Sequence, residues 1–140
     1  MRSTVLIYLV QLLLNGGEDL ISLNYRSGQP LYRQVKEGYK RLILIGAIEE
    51  NERLPSVREL AAKLAINPNT IQRAYRELEV EGYVGSSPGK GVYAIGGDAL
   101  REREIEVIYD SIHLEVKKLL DLGWELEEIQ NKINVRFERN

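Results

Sequence analysis

Asn69, Thr70, Gln72, Arg73 and Arg76 lie together in one short stretch of the chain. Short polar groups, an amide and guanidinium groups are the donors and acceptors that read base edges and phosphates of nucleic acid. They sit toward the N-terminal end of a segment with helical spacing, where free backbone N–H groups also favour phosphate. Arg58 stands at the start of an earlier helical segment, and neither it nor Arg73 has a structural duty in the pattern. Farther on, Gly89-Lys90-Gly91 combines a backbone able to come close to a phosphate, or to enter a minor groove, with one cation. A polar face is also what any soluble helix shows, so the elements that position these groups decide the matter.

Those elements are legible. Ser56 is a good N-cap and Glu59 follows three residues later, the spacing of a capping box. Val57, Leu60, Ala61 and Leu64 then recur at helical spacing. Asn67 can cap a second helix and Pro68 fits its first turn. The turn between the two helices is therefore only about three residues long, as in a helix-turn-helix. The second helix runs from about Pro68 to Glu81 with Ile71, Ala74, Tyr75 and Leu78 inward, and Gly82 ends it as a left-handed residue. Tyr83-Val84-Gly85 and Val92-Tyr93-Ala94-Ile95 read as two strands joined by a tip over Ser86 to Gly91. Arg53-Leu54 is strand-like. The sum is a winged helix-turn-helix, a shape suited to placing one helix in the major groove.

The stretch resembles the DNA-binding domain of GntR-type bacterial transcriptional repressors, and within them the short YtrA-like subgroup. The resemblance is carried by Pro30-Leu31-Tyr32-Arg33-Gln34, Leu54-Pro55-Ser56-Val57-Arg58-Glu59-Leu60-Ala61, Asn67-Pro68-Asn69-Thr70-Ile71-Gln72-Arg73-Ala74-Tyr75, Leu78-Glu79-Val80-Glu81-Gly82 and Gly89-Lys90-Gly91, in order over roughly half the chain. It implies that Ser56, Arg58, Asn69, Thr70, Gln72, Arg73, Gly89, Lys90 and Gly91 touch DNA. It also implies that the helix opened by Pro30 supports the other two, its N-terminus near a backbone phosphate. Ser56 and Asn67 have capping duties as well, and Tyr75 reads as core. The family favours a glycine near Asn51 and Glu52, and this chain has none there.

Composition sets bounds. The net charge of −2 does not itself favour nucleic acid. Residues 24–97 hold eleven Lys/Arg against eight Asp/Glu, a net +3, and residues 98–140 hold seven against eleven, a net −4. There is no cysteine and one histidine, His113, so a thiolate or zinc site is not expected, nor any cofactor. Gly85-Ser86-Ser87-Pro88-Gly89-Lys90-Gly91 falls short of a phosphate loop, because its spacing is one residue short and Gly91 stands where Ser or Thr would bind magnesium. The acidic runs around Glu104 and Glu127 read as solvated helix faces. An enzyme is not expected.

The ends differ in character. Thr4 to Leu14 is apolar but too short to span a bilayer, and no small-residue cleavage site follows it. Gly16-Gly17-Glu18 can be encoded by GGAGGTGA, a ribosome-binding sequence, and Leu20 by TTG. Translation is therefore expected to start at Leu20, with residues 1–19 an uncertain extension. Residues 20–97 form the DNA-binding domain and 98–140 a helical segment, joined at Gly96-Gly97. In that segment Asp98 can cap a helix reaching about Leu122. Ile105, Ile108, Ile112, Val116, Leu119 and Leu120 form its apolar stripe, and Leu126, Ile129, Ile133 and Phe137 line a second helix over about 125–137. Two short amphipathic helices make little core alone, so they either fold back on the winged helix or pair with another copy. The family resemblance implies pairing, as does the doubling of contacts on a two-half-site operator, and the expected pairing residues are Ile105, Ile108, Ile112, Leu119, Ile129 and Ile133. The reading is a mainly α fold with a small β-wing, a cytoplasmic repressor binding a palindromic operator as a homodimer. A winged-helix module that binds protein instead of DNA is the rival. An effector is not identifiable.

Overall fold

The structure, a computed structural model, describes residues 21–138; the apolar N-terminal stretch and the expected start at Leu20 lie outside the described residues. Among those described, the order is α1 (Leu31–Leu44), α2 (Val57–Leu64), α3 (Pro68–Val80), β1 (Val84–Ser87), β2 (Gly91–Ala94), α4 (Asp98–Asp121) and α5 (Leu126–Glu138). The chain divides into two compact units between Arg101 and Glu102, near the start of α4.

In the first unit α3 is the centre, packed against α1, α2 and β1. Its inward side is Ile71, Ala74, Tyr75 and Leu78, all buried. They meet Val35, Tyr39, Leu42 and Ile43 of α1 and Leu60 and Ala61 of α2 in one apolar cluster. The Tyr39 and Tyr75 rings meet edge to face at 5.7 Å, the arrangement their quadrupoles favour. Burial pushes both phenols up from their ordinary pKa. Leu31 and Ile45, at the two ends of α1, are only half-buried. Pro30 is the N-cap residue with ψ 137°, so α1 begins one residue later than expected.

The local signals are realised as hydrogen bonds. Both halves of the Ser56–Glu59 capping box form. Asn67 Oδ1 accepts from the Asn69 N–H at 2.8 Å. The helix-turn-helix turn passes through Ala65 in a left-handed conformation, φ 53°. Gly82, φ 81°, ends α3, as a residue without Cβ does at little cost.

The hairpin pairs Val84 with Ala94 and Ser87 with Gly91, antiparallel. The tip is shorter than expected: the ladder takes in Ser86, Ser87 and Gly91, leaving only Pro88, Gly89 and Lys90 to turn the chain. The Ser86 hydroxyl donates to a Glu79 carboxylate oxygen, tying the strand to α3. Residues 51–54 run along the other edge of β2. Asn51 N–H donates to Ala94 O and Leu54 N–H to Val92 O, each at 2.9 Å, and Arg53 bridges to Tyr93. Asn51 has φ 65°. Asparagine is among the few side chains that tolerate this region, which accounts for the missing glycine.

Asp98 is the first residue of α4 and not its cap. In the second unit, α4 and α5 line an apolar groove of about 600 Å³ that includes Ile108, Ile112, Leu119, Trp124 and Ile133.

Candidate nucleic-acid interface

Because Ile71, Ala74, Tyr75 and Leu78 fix one side of α3 in the core, 3.6-residue periodicity turns Asn69, Gln72, Arg73 and Arg76 outward. All four are exposed, and Thr70 is half-buried. Gln72, Arg76 and Glu79 line a cleft whose other walls are Val57 of α2 and Ser86 and Val92 of the wing. The recognition face and the wing therefore border one concave surface. Arg76 and Arg58 have no hydrogen-bond or ion-pair partner among the described residues, so their donors are available to a ligand.

The start of α2 is built with similar economy. The Ser56 hydroxyl accepts the Glu59 N–H at 3.3 Å, and a Glu59 carboxylate oxygen accepts the Ser56 N–H at 2.7 Å. The bond with the Ser56 side chain, and then that with its backbone, hold the Glu59 carboxyl below the usual carboxylate range. The Tyr75 hydroxyl donates to the Pro55 carbonyl at 2.9 Å. That bond fixes the α2 start, and Arg58 on its first turn, relative to α3.

In the wing, Gly89 and Gly91 have φ 80° and 76°. Lys90 does not extend freely. Its ammonium lies 3.7 Å over the Tyr93 ring and 3.2 Å from Asn51 Oδ1. Tyr93 is able to reach across because Gly85 opposes it: a Cβ at Gly85 would sit 2.7 Å from the ring. Arg53 joins the site without having been singled out by the sequence. It lies alongside the wing, its Nε 3.3 Å from where a Cβ of Gly91 would be, and adds a cation to that edge. The strand-like Arg53-Leu54 pattern is its only signal in the sequence.

Arg73 departs from expectation. The sequence gives it no structural duty, yet its guanidinium lies 3.6 Å over the Tyr32 ring of α1. Its Nε also donates to Glu77 Oε1 at 3.3 Å. Its side chain remains 60% exposed. Glu77 also faces Lys36 at 3.4 Å, and Lys36 reaches Glu81 at 2.7 Å. The Glu81 hydrogen bond leads in raising the Lys36 pKa, against burial. For Glu77 burial pushes upward, but hydrogen bonds from Arg73 and Lys36 together hold the carboxyl below its ordinary range.

The expected pairing residues all fall in the second unit. Ile108, Ile112 and Ile133 are 51%, 49% and 42% exposed, and Leu119 is at 36%. Ile105 is half-buried. Ile129 is only 3% exposed, so little of it is left for a partner. His113 is exposed on α4. Among the described residues no cluster of acidic or histidine side chains could hold a metal, and no helix is long and apolar enough to cross a membrane.

A trihelical core, an outward polar third helix and a β-wing on its flank together define a winged helix-turn-helix of the kind found in DNA-binding transcriptional regulators. The family described as bacterial regulatory proteins, gntR family, matches residues 31–94, which is this unit from α1 to the end of β2. The chain is 43% identical to the HTH-type transcriptional repressor YtrA of Bacillus subtilis over 74 residues, 53% of this chain and 57% of that protein. It is 31% identical over 106 residues to YhcF of the same organism, an uncharacterized HTH-type transcriptional regulator, covering 75% of this chain and 88% of that one. A solved GntR family transcriptional regulator from Listeria monocytogenes superposes with a TM-score of 0.63 at 32% identity, covering 79% of this chain and 97% of that one. This chain belongs to the GntR family of bacterial regulatory proteins, and is similar within it to YtrA.

Proposed function

We propose that this protein is a cytoplasmic transcriptional repressor that binds a palindromic operator as a homodimer and blocks the promoter by occupying it. The carrying observation is the continuous outward set Asn69, Gln72, Arg73 and Arg76 on α3, bordered by the wing across one cleft. In this reading Gln72 and Arg73 read base edges, while Asn69 and Thr70 position the helix. Arg58 and the backbone around Ser56 take phosphate. Gly89, Lys90 and Gly91 bring the wing to the neighbouring strand. Supporting it are the core-fixed orientation of α3 and the similarity to YtrA, a repressor. The dimer reading is supported by the half-exposed isoleucines of the α4–α5 unit, because a contiguous apolar patch on a soluble protein marks a contact surface.

The test is a gel shift with duplex DNA from upstream of the protein's own gene, run from 50 to 200 mM salt. Each phosphate neutralised steepens the fall of affinity with salt. Retarded complexes that survive excess random duplex, with a steep salt slope, are expected. A weak shift that random duplex abolishes would refute sequence-specific binding.

A further inference from the structure

A guanidinium presents a face, an Nε edge and a terminal edge with its two Nη groups. In Arg73 the first two are occupied: the ring of Tyr32 covers one face at 3.6 Å, and Glu77 Oε1 takes the Nε hydrogen at 3.3 Å. Among the described residues no protein group takes the Nη edge, and the side chain is 60% exposed. That edge is the pair of parallel donors which matches the O6 and N7 acceptors of guanine. The free arginine would otherwise sample many rotamers, and fixing it on binding costs affinity. The anchors come from two elements, Tyr32 from α1 and Glu77 from the next turn of α3. Glu77 is itself braced, because Lys36 on α1 faces its second oxygen at 3.4 Å. Lys36 also offsets a negative charge that would otherwise repel phosphate.

We infer that Tyr32 and Glu77 are positioning residues that pre-set the Nη edge of Arg73 for one guanine of the operator. This rests on the DNA-binding reading above. Tyr32 then contributes through its ring and not its hydroxyl, and its effect disappears when Arg73 is absent.

The experiment is a double-mutant cycle, which isolates the coupling between two positions. Affinity for the upstream duplex is measured for the full chain, for Arg73→Ala, Tyr32→Ala, Tyr32→Phe and Glu77→Ala, and for the Tyr32→Ala/Arg73→Ala and Glu77→Ala/Arg73→Ala double variants. Circular dichroism melts confirm that each is folded. Tyr32→Ala is expected to weaken binding about three- to tenfold, the range set by freeing one long side chain. The loss should be confined to duplexes that keep the base pair at which Arg73→Ala has its effect. Tyr32→Phe should bind as wild type, and Tyr32→Ala should add nothing to Arg73→Ala. Glu77→Ala, which leaves α1 untouched, gives the same coupling if Tyr32→Ala proves unfolded. Additive losses, or a loss in Tyr32→Phe equal to that in Tyr32→Ala, would overturn the inference while leaving DNA binding intact. Unchanged binding by Arg73→Ala would overturn it together with the assignment of Arg73 to base readout.

Discussion

Ile71 and Gln72 are neighbours in sequence and face opposite ways, so substituting each separates folding from recognition. Ile71 is fully buried at the centre of the first unit, while Gln72 is exposed in the cleft. Ile71→Ala removes three carbons, worth roughly 2.4 kcal/mol of transfer at about 0.8 kcal/mol each. Ile71 is fully buried in the cluster that joins α3 to α1 and α2, so the space left will not fully close. The cavity raises the cost to about 3–4 kcal/mol. That is a large share of the roughly 5–15 kcal/mol that holds a domain folded. With a urea slope of about 2 kcal/mol/M the midpoint should fall by roughly 1.5–2 M. Ile71→Val should cost only about 0.5–1.5 kcal/mol. Gln72→Ala should stay within about 0.5 kcal/mol of wild type in the same titration, yet lose about 1–3 kcal/mol of operator affinity if its amide pairs with a base. Urea unfolding followed by circular dichroism, with anisotropy titrations of labelled operator, measures both quantities. A destabilisation by Ile71→Ala below about 1 kcal/mol, or by Gln72→Ala above about 2 kcal/mol, would refute the assigned orientation of α3.

Ser56→Ala removes the N-cap of α2 and should cost about 1 kcal/mol of stability. Because the Ser56 bonds hold the folded Glu59 carboxyl below its unfolded value, this group's contribution is present above pH 4.5 and is lost as pH falls through the lower, folded value; the acid-side slope of stability should therefore flatten in the variant. Lys90→Ala should weaken binding to all duplexes alike and reduce the salt slope by about one, and a change of sequence preference would contradict a phosphate role. Ile112→Glu places a charge in the α4–α5 groove and should shift sedimentation toward monomer while leaving the first unit's melting unchanged; a dimer as stable as wild type would place the interface elsewhere.

The features legible in the sequence are those set within a few residues. The Ser56–Glu59 box, the Asn67-Pro68 start and the Gly82 stop each depend on hydrogen bonds or φ angles inside one helical turn, and the four inward residues of α3 follow from its period. What stays hidden depends on elements meeting in space. Tyr32 lies on α1 and Arg73 on α3, and only the packing of these helices brings ring and guanidinium together. Lys90 reads as a free wing cation in the sequence, because its partners, Tyr93 and Asn51, reach it only once residues 51–54 lie along β2. The length of the wing tip is overestimated from sequence because Ser86, Ser87 and Gly91 are turn-type residues, yet cross-strand pairing and Glu79 hold them in the ladder. Arg53 reads only as part of a short strand until that strand is laid beside the wing.

The central claim is that the outward side of α3 reads a defined DNA sequence. Selection from a library of random duplexes, followed by sequencing of the bound pool, measures this directly, since the library contains every candidate site. Enrichment of one inverted repeat is expected, with a guanine position whose preference relaxes in Arg73→Ala. A bound pool with no enriched sequence, from folded protein at physiological salt, would contradict it.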